Sequence, residues 1–361
     1  MKYLKARLTV SIINQVHILL YLASVFYLFY AFGSEIPDQW WIYPVFLGGY
    51  LFWQFPYELL AGYLLPKRHG RYLGSAGKWL LGWLRAVAVM LIFWMLHGLM
   101  LVILGDWGGQ LAVAGWVFLW MLLLAGFRQY LARLIAPFKI RYESNRGRMV
   151  FYFNTEDRGF TGGISGMPGQ ESIIMPAYWQ KKWEPEIFDL QLSRRHGSLN
   201  TGSHGAGLFS SLFLQTGLFF LASFLVGSPG SWTWLIMTLC LFSILSSVAT
   251  LGLIPWLNRR GSFQMDRWVY YKKVDGDIIN QAIEKSRHLQ DDPGFRLAKV
   301  WRASPTLEER KSFRQSGEDV KGTWHMASVW QYYGLFGGNL LFRSLPSNLG
   351  LPSRWVYPPV E

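Results

Sequence analysis

The chain's 361 residues are 51% hydrophobic and only 16% charged, against about 25% charged in an ordinary soluble domain, which excludes a conventional soluble protein and points to the membrane class. The net charge of +13 does not indicate a nucleic-acid partner, because Lys and Arg flank long apolar runs instead of clustering on a polar domain. One cysteine, Cys240, excludes an internal disulfide and a thiolate zinc cluster, so any metal site would need His and carboxylates.

Helical passage through about 30 Å of hydrocarbon takes about 20 residues. Six runs reach that length: 8–32, 40–65, 77–104, 110–134, 207–227 and 231–257. The first follows Lys2, Lys5 and Arg7, is too long for a cleaved signal and lacks a small-residue cleavage site, so it is expected to remain as an anchor. Basic residues gather in alternate loops: before the first run, at Lys67, Arg68, Arg71 and Lys78, at Arg128, Arg133, Lys139 and Arg141, and at Arg259 and Arg260. The opposite loops, around Glu35 and Asp38, at Asp106 and at Gly227 to Trp232, carry none. By the positive-inside rule both termini and the polar segments 135–206 and 258–361 are expected in the cytoplasm, with a bacterial inner membrane as the location.

Within the spans, Glu58 and Arg85 sit at similar depth in consecutive runs, and an intramembrane charge seeks a partner, so an ion pair between them is expected. His17 and His97 differ in predicted depth by about 15 Å at 1.5 Å per residue; one haem is not expected to use both, and polar interhelical contacts explain them.

In the first polar segment, Lys139 to Tyr142 and Met149 to Phe153 flank Asn145–Arg146–Gly147, a hairpin signal. The glycines from Gly159 to Gly169 match neither phosphate-loop pattern, and tight turns account for them. The stretch Ser172, Ile173, Ile174, Met175 reads as an edge strand, and Pro176 to Arg195 as helical. The second polar segment has helical pattern over Phe263 to Tyr271 and Ile278 to Leu289, then breaks at Asp291–Asp292–Pro293. After Thr323 it is aromatic and rich in Gly and Pro, with no assignable period. The expected organisation is 1–134 with four spans, 135–206 cytoplasmic, 207–257 with two spans, 258–322 cytoplasmic, and a tail at 323–361.

Ser172 to Trp183, then Glu184 to His196, a pair of apolar runs, and Asn258–Arg259–Arg260–Gly261–Ser262–Phe263–Gln264–Met265–Asp266 stand in a particular order. That order resembles the HtpX and CAAX prenyl protease family of membrane zinc metallopeptidases, in which an edge strand precedes an HExxH helix and a later SRxxExxAD motif supplies the third ligand. Ala303 to Arg310 is similar to that family's THPxxxxR segment, and Phe55–Pro56–Tyr57–Glu58 is faintly like its amino-terminal region. The resemblance implies a mostly α polytopic membrane protein with about six transmembrane helices and a small cytoplasmic α+β domain built from two segments.

In HExxH, two His at i and i+4 share a helix face and hold zinc beside a Glu base. This chain has Leu192, Ser193, Arg194, Arg195 and His196 there, and Ser262 at the third-ligand position, leaving His196 and Asp266. A catalytic zinc needs three protein ligands and a water, so the expectation is a metallopeptidase-like protein without peptidase activity, a scaffold or quality-control adaptor holding a membrane protein or an extended peptide on Ser172 to Met175 by strand addition. The alternatives are a divergent zinc endopeptidase with ligands rebuilt from His196, His204 and Asp266, and a lipid- or cofactor-handling membrane protein. Arg194, Arg195, Arg259 and Arg260 near the membrane also fit anionic lipid.

Overall fold

A computed structural model describes residues 3–32, 35–72, 74–136, 138–272, 275–289, 305–316 and 320–358. The break at Asp291–Asp292–Pro293, and Ala303 and Ser304, lie outside the described residues. The apolar runs are helices, since the hydrocarbon region offers no water to satisfy backbone groups. In chain order come α1 (Tyr3–Phe32), α2 (Ile42–Leu59), a π-helical turn (Leu60–Leu64), α3 (Leu65–Arg68) and α4 (Ala76–Ile135). After the sheet and the short α5 (Ala177–Lys182) follow α6 (Pro185–Asn200), α7 (Ser203–Val226), α8 (Trp232–Leu251), α9 (Leu253–Tyr271) and α10 (Gly276–Leu289). The last elements are α11 (Leu307–Ser316), α12 (Met326–Phe336), a 3-10 turn (Leu340–Ser344) and α13 (Ser353–Val356). Among the described residues four continuous stretches, Lys5–Phe32, Ala76–Ile135, Ser203–Val226 and Trp232–Tyr271, are long and apolar enough to cross a membrane.

A straight α4 of 60 residues would measure about 90 Å. It folds back instead at Gly109, whose φ of 63° is open to glycine without steric cost. The two limbs lie side by side: Arg85 Nε donates to Leu134 O at 2.6 Å, and Trp116 Nε1 donates to His97 Nδ1 at 3.1 Å. The expected runs 77–104 and 110–134 are these limbs, and His97 makes the interhelical contact expected of it.

The four strands are β1 (Lys139–Asn145), β2 (Arg148–Asn154), β3 (Gly163–Ser165) and β4 (Ser172–Pro176), in the spatial order β1-β2-β4-β3. Asn145–Arg146–Gly147 makes the predicted hairpin; Arg146 and Gly147 have φ of 49° and 75°, the positive values that a two-residue type I′ loop requires. The expectation of an edge at Ser172, Ile173, Ile174 and Met175 is corrected: β4 pairs with β2 in parallel and with β3 antiparallel, and all its residues are buried. Chain order hides this, because β4 returns beside β2 only after the glycine-rich excursion.

The tail from 320 to 358 folds back among the helices. It starts at the head of α7, where Trp324 N donates to Ser203 Oγ at 2.8 Å, and α12 runs down the helices so that Trp330 O accepts from Gln215 Nε2 at 3.2 Å, about 18 Å further along α7. Trp94 and Trp120 on the two limbs of α4 donate to Leu335 O and Phe336 O. Tyr50 of α2 donates to Leu340 O at 2.6 Å, and Ser243 Oγ of α8 accepts from Leu340 N. The chain then climbs back to Gly350, whose carbonyl takes the Trp79 indole N–H at 3.0 Å, and to Val356, bonded to Arg128 Nε at 2.8 Å.

This tail also supplies the partner of Glu58. The carboxylate receives Arg343 Nε at 2.8 Å and Nη2 at 2.5 Å, with both side chains fully buried, and Trp83 Nε1 donates to it as well. The expected Glu58–Arg85 pair does not form; Arg85 is exposed and caps the carbonyls at the end of α4, where a cation is favoured. Removing one member of a buried pair strands the other charge at a cost of about 3–5 kcal/mol. Glu58→Gln and Arg343→Gln should each lower the thermal midpoint of detergent-purified protein, and Glu58→Leu with Arg343→Met should recover most of it. Arg85→Gln should stay within about 0.5 kcal/mol of the parent; equal losses in all three single variants would refute the pairing.

Candidate functional site

The helix in the place of the HExxH element, α6, begins with Pro185 in its first turn, where the missing N–H costs nothing. It is packed on two sides. Phe188, Leu192 and Leu199 join Val150, Tyr152, Ile173 and Met175 of the sheet in one apolar cluster. Ile187 and Leu190 face Val269, Ile279 and Ile283 in another. At Gly197 an added Cβ would lie 2.7 Å from the Trp268 ring, so glycine sets the approach of α6 to α9.

Leu192, at the first-ligand position, is thus a core residue. Ser193 beside it is half-buried. Arg194 points at α9, with Nη2 3.0 Å from Asp266 Oδ1, while Arg310 Nη1 lies 3.3 Å from both oxygens of the same carboxylate. The Arg194 guanidinium also covers the Trp324 ring at 4.9 Å. Arg195 turns to the sheet side, donating to Thr161 O at 2.6 Å and to Gln191 O at 3.2 Å over the ring of Trp179. Ser262, at the third-ligand position, is buried and donates to Asn258 O at 3.2 Å, one turn back on its own helix.

Arg310 reaches Asp266 because α11 starts where it does. Thr306 Oγ1 accepts from Glu309 N at 3.1 Å, and Glu309 Oε2 accepts from Thr306 N at 2.7 Å, a reciprocal capping box. Glu309 also holds Arg259 at 2.6 Å. Burial pushes its carboxyl up, but the Thr306 N–H and the Arg259 charge outweigh that and leave its pKa lowered. Both motif segments are therefore locked to each other by ion pairs.

The tail fills the remaining space. Gly322 N donates to Gln264 Oε1 at 3.1 Å, Ser203 Oγ donates to Gly322 O at 2.9 Å, and Ala327 N donates to Asn258 Oδ1 at 3.2 Å. A Cβ on Gly261 would stand 2.1 Å from Trp324 N, so the tail backbone runs directly over α9. Next to Trp324, His325 is buried among cations: desolvation, then Arg195, His204, Arg128 and Arg194, hold its pKa far below the usual imidazole value. Arg128 is itself buried with neutral acceptors, Val356 O, Ile164 O and Ser328 Oγ, between the faces of Tyr332 and Tyr357.

The family that the segment order resembles uses zinc, and the donors placed here do not fit it. Arg194 and His196 are two residues apart, about 200° around a helix, so the imidazole leaves the face that meets Asp266. His204 lies instead in a cavity of about 10 Å³, room for one water, with Arg128, Ser165, Gly166, Tyr332 and Tyr333. The structure does not gather His196, His204 and Asp266, and among the described residues no three of His, Cys, Asp and Glu are placed to share an ion. Sequence reasoning singled out Arg310 only as part of a motif and gave no role to Trp324 or His325; the segment's lack of period left nothing to place them.

Burial, followed by the charges of Arg146, Arg148 and Lys272, pushes His196 down to about 4, against about 6.5 in an unfolded chain. The unfolded chain therefore takes up the proton first, and the folded state loses stability as pH falls from about 6.5 towards 4, with no effect above that window. His325 adds in the same direction. The thermal midpoint should drop between pH 7 and pH 5, and His196→Gln with His325→Gln should shrink the drop; an identical drop in parent and variant would contradict the assignment.

No protein-family model matches the chain, and no curated protein matches it in sequence. Among solved structures, that of S. mikatae Ste24p superposes with a TM-score of 0.62 at 12% identity, covering 74% of this chain and 73% of that one. At that identity the likeness concerns the fold. The chain has a mostly helical, Ste24p-like membrane fold, in line with the metallopeptidase-like order of its segments.

Proposed function

We propose that this integral membrane protein uses a metallopeptidase-like fold to bind rather than to cut, as a scaffold or quality-control adaptor for a membrane protein or an extended peptide segment. The observation that carries the reading is the state of Asp266: its carboxylate is shared by two buried guanidiniums, Arg194 and Arg310, and the tail's Trp324 stacks on the first of them. A divalent ion at this junction would have to displace a cation from Asp266, with the His196 imidazole on a different face of α6. Such an exchange is electrostatically uphill.

Six membrane crossings with both termini in the cytoplasm complete the proposal; α1, α2 with α3, the two limbs of α4, α7 and α8 supply them, and the sequence's basic loops orient them. Strand addition is then assigned to β1, the outer edge opposite β3, whose exposed Tyr142 stands among Lys139, Arg141 and Glu143. Charged residues on an edge also discourage indiscriminate pairing.

Elemental analysis of purified full-length protein, after incubation with zinc and removal of free metal, should find well under one zinc per chain, and a quenched unfolded-protein substrate should stay uncut. Stoichiometric zinc that disappears in His196→Ala would establish the divergent endopeptidase instead. Asp266→Asn should cost stability, about 3–5 kcal/mol for stranding buried arginine, with no change in metal content; loss of bound metal in that variant would reject the reading.

A further inference from the structure

Where the helices meet the sheet domain, a cleft of about 230 Å³ opens between the first turn of α1, the turn after α3, and the loop carrying Asp157 and Arg158. Its floor is the returning tail, through Leu351 and Arg354. The one acid in the lining among the described residues, Asp157, is bound at 2.8 Å by Arg354 through each of its oxygens and by Gly159 N at 2.9 Å. Its negative charge is thereby balanced within the wall. The other polar side chains of the lining, Arg354 aside, are His69, Arg71, Arg158 and the phenols of Tyr3 and Tyr72.

The cleft is built rather than incidental. Pro66 O accepts from both Arg71 N at 2.9 Å and Tyr72 N at 3.3 Å, which fixes the turn, and Tyr72 bridges in antiparallel fashion to Asp157. Arg71 is laid over the Tyr3 ring at 4.5 Å, so its guanidinium is held in place before any ligand arrives. Guanidinium forks match the oxygens of phosphate groups better than point charges do. The volume admits a tetrahedral phosphate with a small substituent and has no room for acyl chains. Those chains would have somewhere to go, because the exposed apolar side of α1, with Ile12, Ile13 and Val16, begins about two and a half turns beyond Tyr3.

We propose that this cleft binds a phosphate-bearing anion at the membrane surface, with Arg71 and Arg158 as its principal donors. The site is separate from the α6–α9 junction and stands whether or not that junction is catalytic. Each basic residue near an anionic bilayer surface contributes about 1 kcal/mol, so two give a preference of about tenfold or more for an anionic over a zwitterionic phospholipid.

Full-length protein in neutral detergent is titrated with dioleoyl phosphatidylglycerol, with dioleoyl phosphatidylcholine and with inorganic phosphate, and bound lipid is counted by native mass spectrometry alongside the thermal midpoint. Phosphatidylglycerol should bind about tenfold or more tightly than phosphatidylcholine, and Arg158→Glu should abolish the difference. Arg158 is exposed, so this variant keeps the fold where Arg71→Gln, which removes the contact with Tyr3, endangers it. Lys181→Glu, an exposed charge outside the cleft, should change nothing. Lipid binding that phosphate does not displace identifies a headgroup as the ligand; a midpoint raised by phosphate alone identifies a soluble phosphate. Absence of both effects, or a preference that survives Arg158→Glu, overturns the proposal.

Discussion

Non-helical backbone can lie at membrane depth only when protein, not lipid, surrounds it and supplies its hydrogen bonds. The tail from 320 to 358 meets that requirement, and the rest of the structure is arranged to let it. Donors and acceptors come from each surrounding element: Ser11 on α1, Tyr50 on α2, Trp94 and Trp120 on α4, Gln215 on α7 and Ser243 on α8. The tryptophans serve twice, as apolar mass and as single N–H donors. Glycine sets the closest approaches, since a Cβ on Gly62 would be 2.1 Å from Gly350 O. The pair of Glu58 with Arg343 is the strongest of these ties, and it joins residues 285 positions apart.

The same segment packs directly over the α6–α9 junction. A hydrolytic zinc site needs converging neutral or anionic donors and a place for water. Here the junction holds the Arg194 guanidinium over the Trp324 ring, and beside it a tail histidine whose pKa is held well below the usual imidazole value by burial first and by neighbouring charges second. Hydroxyl groups at Ser262 and Ser203 are spent on backbone partners. Ion pairs of Asp266 with Arg194 and Arg310 hold α6, α9 and α11 together at this junction.

The sequence made part of this legible. Period and length locate the helices, because an apolar run of about 20 residues has few alternatives in a membrane, and Asn145–Arg146–Gly147 announces its hairpin through turn chemistry. The pairing of Glu58 was misread because depth along neighbouring runs identifies which charges are level but not which are adjacent, and the true partner lies in a segment with no period. The place of β4 was misread for a related reason: strand order depends on a parallel crossover that local pattern does not encode. Residue type alone placed Leu192, Ser193 and Ser262 at the motif positions, and it said nothing of their packing. That Arg194 and Arg310 both engage Asp266 depended on the facing of two helices and the start of a third.

Hydrogen–deuterium exchange of the full-length protein in lipid nanodiscs tests the central claim most directly, by comparing amides of 322–358 with those of α7 and of the exposed β1 edge. Protection of the tail at the level of α7 is the predicted result, since both would open only with the whole bundle. Exchange of the tail as fast as the β1 edge would show that the helices close without it, and the account of a segment buried at the centre of the fold would be wrong.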